Sequence, residues 1–272
     1  MKRKLIGIDL DFTTLNNQGA VSKRTQHTLQ AAQAAGHIIS IVTGRPARLA
    51  TDIYDYIGLK SPMINFNGGL GHVPHYAWEH EYSKVVDHEI AFDIFDLVAD
   101  MGVDMVAAES KTNAWSRATG IRDVQNLPFF PSDQGQLHEL NRSNLKEDVN
   151  AIILHGEDPK QMALVQRDLQ SRYGSEFVNV KTWGDDHVVE VAAAGVSKTT
   201  GLDYLRHVYK IDHDDIYAFG DEMNDFEMIE YASHGVVMAN GNPQLKKIAN
   251  DVTKHTNDED GLAEYLEQVL AL

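Results

Sequence analysis

Two aspartates, Asp9 and Asp11, stand where the apolar run LIGI gives out, and their spacing sends both side chains toward the same side of an extended chain. Paired acids of this kind suit phosphoryl transfer: one, ionised, attacks phosphorus while the other holds a proton for the departing oxygen. Neighbouring acids divide such roles when their environments differ. A phosphate monoester is itself anionic, so its approach to Asp9 calls for a divalent cation that neutralises both. Asp221, in FGDEMND, is a suitable second carboxylate ligand. Mg2+ is the expected ion, because it takes few carboxylates and fills its shell with waters and phosphate oxygens.

Two further clusters supply groups for the phosphate. Thr43 and Gly44, in IVTGR, offer a hydroxyl and an unobstructed backbone N–H just ahead of a helix whose positive end favours anions. Lys198, in GVSKTTGLDYL, falls at the start of a helix that buries Leu202 and Leu205. Its ammonium would offset charge on the phosphate and on an aspartyl-phosphate.

These residues need a scaffold that brings separate strand ends together. The runs LIGI, HIISIV, PMINF, IYAF and GVVM each end in a polar or glycine-containing cluster. Their continuous hydrophobicity predicts strands covered on both faces, as in a parallel sheet, and the carboxyl ends of such strands form the ligand edge. Helical segments separate them. Ser22 is placed to cap a helix that stops at Gly36, a second helix is expected from near Arg45 to before Gly58, and PQLKKIA and GLAEYLEQVLAL have helical spacing near the end. Residues from about 82 to 190 read differently, as mixed helix and strand: VVDHEIAFDIFDLVADMG a helix, VNAIILHG a strand, and a helix opened by Asp158 and Pro159 that runs to Tyr173, with the loop NLPFFPSDQGQ among them. This segment is an insertion between two halves of the sheet domain.

The 272 residues, 43% of them hydrophobic, are ample for a core and large for one compact unit. With no cysteine, disulfides, cysteine-ligated zinc and thiol nucleophiles are excluded. Two aspartates interrupt the apolar run of the basic N-terminus, and no segment approaches the roughly 20 apolar residues of a membrane span, so a cytoplasmic protein without membrane association is expected. A net charge of −16 repels polyanions and argues against nucleic acid as partner, whereas a small phosphate ester remains compatible if a cation and a few basic groups invert the potential locally. Monomer and homodimer both remain open.

In order, IDLDFTTL, IVTGR, GVSK and FGDEMND resemble the four motifs of haloacid dehalogenase-like phosphatases. NFNGG, VVMANGNPQLKKIANDVT and NDEDG are similar to the large-capped, Cof-type sugar-phosphatase branch. The resemblance implies an α/β fold: a Rossmann-like parallel-sheet core at residues 1–81 and 190–272, and an inserted α+β cap at 82–189 that sets substrate specificity. It further implies Asp9 as nucleophile, Asp11 as general acid/base whose backbone carbonyl binds metal, Thr43 and Lys198 as phosphate ligands, and Asp9, Asp11 and Asp221 as the metal set. Asn224 and Asp225 would orient the phosphate, the lysine or metal-bound waters. The expected reaction is hydrolysis of a small phosphorylated metabolite, with a phosphomutase or phosphotransferase on sugar phosphates and a sensor that lost its chemistry as alternatives. Phe12 and Thr14 depart from the glycine and leucine usual in the first motif, as does Thr199 from the glycine common in the third.

Several candidates are set aside. Arg45 and Arg48 read as helix-face residues, and His72, His75, His80 and His88 as an exposed hairpin and linker whose spacing matches no two-histidine helix pair. Asn67 fits either a strand-end turn or a substrate contact. Trp183, Asp185, Asp186 and His187 lie where the cap returns, and Trp183 is read first as a packing residue.

Overall fold

The computed structural model describes residues 2–118, 137–176, 178–183 and 187–272, so the loop NLPFFPSDQGQ and the pair Asp185 and Asp186 fall outside the described residues. In chain order the first elements are β1 (Leu5–Ile8), α1 (Lys23–Ala34), β2 (Ile38–Ile41), α2 (Ala47–Ile57), β3 (Met63–Asn65), β4 (Leu70–His72) and β5 (Tyr82–Ser83). Then come α3 (His88–Val98), β6 (Met105–Glu109), β7 (Ala114–Ala118), β8 (Leu137–Glu139), β9 (Ala151–His155), α4 (Pro159–Tyr173), β10 (Val178–Trp183) and β11 (Val188–Ala193). The chain closes with α5 (Lys198–Tyr209), β12 (Ile216–Gly220), α6 (Phe226–Tyr231), β13 (His234–Val237), β14 (Asp251–Val252) and α7 (Gly261–Leu270). Among the described residues no helix is long and apolar enough to cross a membrane.

The chain divides into two compact units, Met1–Tyr82 with Ser197–Leu272, and Ser83–Val196. The first is built on a five-stranded sheet of order β14-β13-β12-β1-β2 in which every neighbouring pair is parallel. Its strands are apolar on both faces because both are covered. Ile6, Ile8, Ile41 and Phe219 pack with Leu29 of α1 and Leu262 and Leu266 of α7, whereas Leu5, Val42 and Ala218 pack with Leu202 and Leu205 of α5 and Met228 of α6. The second unit has a six-stranded sheet of order β10-β11-β9-β6-β7-β8. Val106, Ile152, Leu154 and Val191 of that sheet share an apolar cluster with Phe95 of α3 and Met162 and Leu169 of α4.

Helix boundaries follow local chemistry. The Ser22 hydroxyl accepts the Thr25 N–H at 3.0 Å at the start of α1, and Gly36, at φ +95°, turns the chain after it. The second helix begins at Ala47, beyond the expected start at Arg45, because Pro46 caps it and disfavours helical geometry in the residue before a proline. Arg45 is thereby left in the loop at the end of β2.

Other expectations are corrected as well. The PMINF strand does not continue the parallel sheet: a single parallel bridge joins Val42 and Ile64, and β3 then pairs antiparallel with β4. The turn at Phe66, Asn67 and Gly68, with φ of +50°, +51° and +106°, folds the chain back on itself. His72 is consequently buried on β4, where Nε2 lies 3.0 Å from Asn65 Oδ1, instead of on an exposed hairpin. The return boundary of the insertion also differs. Glu190–Ala193, assigned from sequence to the core, complete β11, where Glu190 pairs with Lys181 on one side and Ile153 on the other. At the other boundary Tyr82 stays with the first unit, its hydroxyl donating to Gly68 O at 3.0 Å and its ring centroid 4.7 Å from that of Tyr204.

Candidate active site

Asp9 follows β1 directly, and its N–H continues the sheet by donating to Phe219 O at 3.0 Å. The chain then coils in one wide turn, Leu10–Thr14, closed by a Leu15 N–H to Leu10 O bond of 2.8 Å. Phe12 takes the left-handed conformation at φ +55°. Asp9 is buried, while the side chain of Asp11 is 47% exposed. Two hydroxyls hold the turn. Thr14 Oγ1 donates to the Asp9 carbonyl at 2.5 Å, and Thr13 Oγ1 donates to Asp221 Oδ1 at 2.9 Å. Thr14, a departure from the motif pattern, thus serves as an internal clasp, whereas leucine could offer no such bond.

Lys198 is the first residue of α5. Ser197 caps that helix with Thr200 in a reciprocal capping box. The ammonium is 1% exposed and donates to Asp9 Oδ1 and Asp225 Oδ1, both at 2.6 Å. Asp225 Oδ2 accepts the N–H groups of Asp221 and Glu222 at 3.0 and 3.1 Å, so this fully buried carboxylate ties the lysine to the loop after β12. Gly220 makes room for it: a Cβ there would lie 2.4 Å from Asp225 Cγ. Gly68 lets the β3–β4 turn approach the start of α5, where a Cβ would fall 2.0 Å from Ser197 O.

Thr43, buried after β2, donates its N–H to Ile64 O at 2.9 Å and accepts the Arg45 N–H on its hydroxyl at 3.2 Å. Gly44 is pressed by the Asn67 side chain, whose Oδ1 would be 3.1 Å from a Cβ. Asn224 is exposed on the turn after β12, outside the hydrogen-bonded cluster. Thr199 sits in the first turn of a regularly begun α5.

Asp9, Asp221 and Asp225 each offer a carboxylate oxygen within 4.8 Å of the others. Three acids against the single ammonium of Lys198 leave an excess of buried negative charge, and hard oxygen donors are the set that Mg2+ takes, so these residues fit that ion. The Asp11 carboxylate is not in this cluster, which leaves its backbone carbonyl as the atom that residue can offer.

The electrostatics agree with the crowding. Burial pushes the Asp9 carboxyl well above its ordinary value, with Lys198 opposing and Asp225 and Asp221 adding to the rise. Burial alone would lower the Lys198 pKa, but Asp225 and Asp9 outweigh it and hold the ammonium charged. Burial and then the Asp225 charge push Asp221 up to about 7, against the Thr13 hydrogen bond and Lys198. A carboxyl that titrates near 7 in the fold and near 3.8 in the unfolded chain holds its proton more tightly when folded. Its stability contribution is full below about pH 4 and is lost as pH rises through 7. In EDTA at pH 8, Asp221→Asn should therefore raise Tm by about 5 °C over the wild type, with the gap closing toward pH 5. Mg2+ should then raise the Tm of the wild type and leave the variant unmoved. A lower Tm for the variant in EDTA at pH 8 would contradict this.

Sequence reasoning underweighted three residues. Thr13 is the threonine of IDLDFTTL that reaches Asp221, Asp225 is read from the sequence only as a residue that would orient the phosphate, the lysine or metal-bound waters, and Arg45 as a helix-face residue. Arg45 instead forks onto Asp11, Nε to Oδ2 at 2.9 Å and Nη2 to Oδ1 at 2.5 Å. In the inserted unit, Trp183 Nε1 donates to Glu190 Oε2 at 2.7 Å and His187 Nδ1 lies 3.1 Å from Gly156 O. His75 is exposed and His80 half-buried, and His88 begins α3 beside Asp148, its Nδ1 3.0 Å from Oδ1.

Comparison with known proteins follows the same lines. A family model described as haloacid dehalogenase-like hydrolase matches residues 6–266. The chain is 33% identical over 274 residues to the 5-amino-6-(5-phospho-D-ribitylamino)uracil phosphatase YitU of Bacillus subtilis (strain 168), covering 100% of this chain and 99% of that one. Its fold superposes with TM-score 0.85 on a haloacid dehalogenase-like hydrolase from Bacteroides thetaiotaomicron, at 25% identity over 98% of this chain and 100% of that one. It superposes with TM-score 0.78 on the subclass IIB sugar phosphatase BT4131, at 20% identity over 99% and 100% of the two chains.

Proposed function

This chain belongs to the haloacid dehalogenase-like hydrolases, and on that premise we propose that it is a Mg2+-dependent phosphatase that hydrolyses a small phosphorylated metabolite through an aspartyl-phosphate on Asp9. The observation that carries the reading is the buried Asp9 carboxylate, one oxygen bonded to Lys198 at 2.6 Å and the group clustered with Asp221 and Asp225.

Asp9, Asp221 and the Asp11 carbonyl are the groups that would hold Mg2+, with Asp225 beside them. When bound, the ion supplies positive charge that favours the ionised nucleophile and the phosphate alike. Lys198 adds a fixed positive charge in a desolvated setting, where it acts more strongly than in water. Thr43 and Gly44 bind the phosphate oxygens. In the first step an Asp9 oxygen forms a bond to phosphorus, the ester P–O bond breaks, and the Asp11 proton passes to the departing oxygen. In the second, a water oxygen attacks phosphorus, the bond between phosphorus and the Asp9 oxygen breaks to return the carboxylate, and the water proton passes to Asp11. The inserted unit, residues 83–196, is the substrate-selecting part.

The ribitylaminouracil phosphate named for the Bacillus subtilis relative is the first substrate to try. Phosphate release should be measured over that compound, sugar phosphates, nucleotides and phosphorylated cofactors, with Mg2+ and with EDTA. Release from at least one small phosphate ester, abolished by EDTA, is expected. Binding without release across the panel would overturn the reading in favour of a sensor.

A further inference from the structure

We propose that Arg45 is the positioning residue for Asp11, clamping its carboxyl in the one orientation from which it exchanges protons with the leaving group and with water. The inference rests on the reading of Asp11 as the acid/base of the reaction above.

Burial cannot orient Asp11, whose side chain is half exposed on a coiled turn. Among the described residues, its carboxylate takes hydrogen bonds from Arg45 alone, through Nε at 2.9 Å and Nη2 at 2.5 Å. Arg45 is itself anchored on several sides. Its N–H reaches Thr43 Oγ1 at 3.2 Å, its carbonyl accepts Asn65 Nδ2 at 3.0 Å and Phe66 N at 3.3 Å, and Nη1 reaches Leu49 O at 3.4 Å. A planar fork of this kind fixes both the direction and the plane of a carboxylate, which a lysine ammonium cannot do. It occupies one lone-pair position on each oxygen and leaves others for the proton that is transferred. Because Pro46 keeps Arg45 out of α2, the guanidinium rises from the same loop as Thr43. Acid/base group and phosphate ligand are thus referenced to one rigid segment, the kind of alignment on which proton transfer depends.

Leaving groups that differ in their need for a proton provide the test. An alkyl phosphate such as a sugar phosphate releases an alkoxide that needs the Asp11 proton, while p-nitrophenyl phosphate releases a stable phenolate. Arg45→Met is expected to lower kcat on the alkyl substrate at least about 10-fold more than on the aryl one, with KM on both little moved, given that general acid catalysis contributes about 10²- to 10⁴-fold. Arg45→Lys should fall between, and carries the test if the methionine variant does not fold. Asp11→Asn should show the same selectivity more strongly, and the double variant should be no worse than Asp11→Asn alone. Equal losses on both substrates for the Arg45 variants, beside a leaving-group-dependent Asp11→Asn, would overturn the positioning role and leave the acid/base reading standing. A rise in KM at constant kcat would overturn it too, by making Arg45 a direct phosphate ligand. An Asp11→Asn variant that treats both leaving groups alike would overturn the acid/base reading, and this inference with it.

Discussion

Asp9→Asn is expected to reduce Mg2+-supported phosphate release by at least about 10⁴-fold, because the amide oxygen cannot form the phosphoryl bond that divides the reaction into two steps. The change should leave the fold intact. Lys198 keeps its 2.6 Å bond to Asp225, and the amide oxygen of asparagine can still accept from the ammonium. Removing this carboxyl also removes the repulsion that Asp225 and Asp221 exert on Asp9. Assays on p-nitrophenyl phosphate, with Tm measured alongside, distinguish lost chemistry from lost structure. Undiminished turnover in a folded variant would remove Asp9 from the nucleophile's role.

Lys198→Met carries the largest expected effect on stability. Its ammonium is the cation hydrogen-bonded to both Asp9 and Asp225, and removing one partner of a buried ion pair costs about 3–5 kcal/mol because the remaining charge is left without compensation. Activity should fall by about 10²- to 10³-fold as well, the scale on which loss of one preorganised charge-stabilising donor is felt. Adding Asp225→Asn removes one uncompensated carboxylate, so the double variant should regain part of the stability and none of the activity. Urea unfolding of the three proteins in EDTA checks the first claim, and kcat in Mg2+ the second. A double variant less stable than Lys198→Met would mean that Asp225 contributes through its bonds to Asp221 N and Glu222 N more than through the lysine.

The strands that carry the site were legible because both faces of the sheet are covered, which writes continuous apolar runs into LIGI and IYAF. Helix starts were legible where a side chain caps them, as at Ser22, or where a charged residue opens an apolar helical face, as at Lys198. Directions and pairings across the fold were not. The spacing of Asp9 and Asp11 does not reveal that one is buried and the other half exposed, a difference set by the wide turn Leu10–Thr14 that follows β1. The identity of Arg45 says nothing of its partner, which is set by Pro46 ending the loop ahead of α2. Asp225 reaches Lys198 because Gly220 lacks a side chain and because β12 and β1 are neighbours, a fact of topology with no local signature. The turn of β3 out of the parallel sheet depends likewise on three successive positive φ values, two of them at non-glycine residues. The end of the insertion was misplaced since VVEVAA is apolar enough to belong to either unit, and only its pairing with β9 and β10 decides.

The most direct measurement is to quench the enzyme with acid during turnover of an efficiently hydrolysed substrate and to map the phosphorylated residue by mass spectrometry. The account predicts a single acyl-phosphate on Asp9, removed by hydroxylamine and missing from Asp9→Asn. Turnover with no phosphate on the protein, or with phosphate on another side chain, would contradict it.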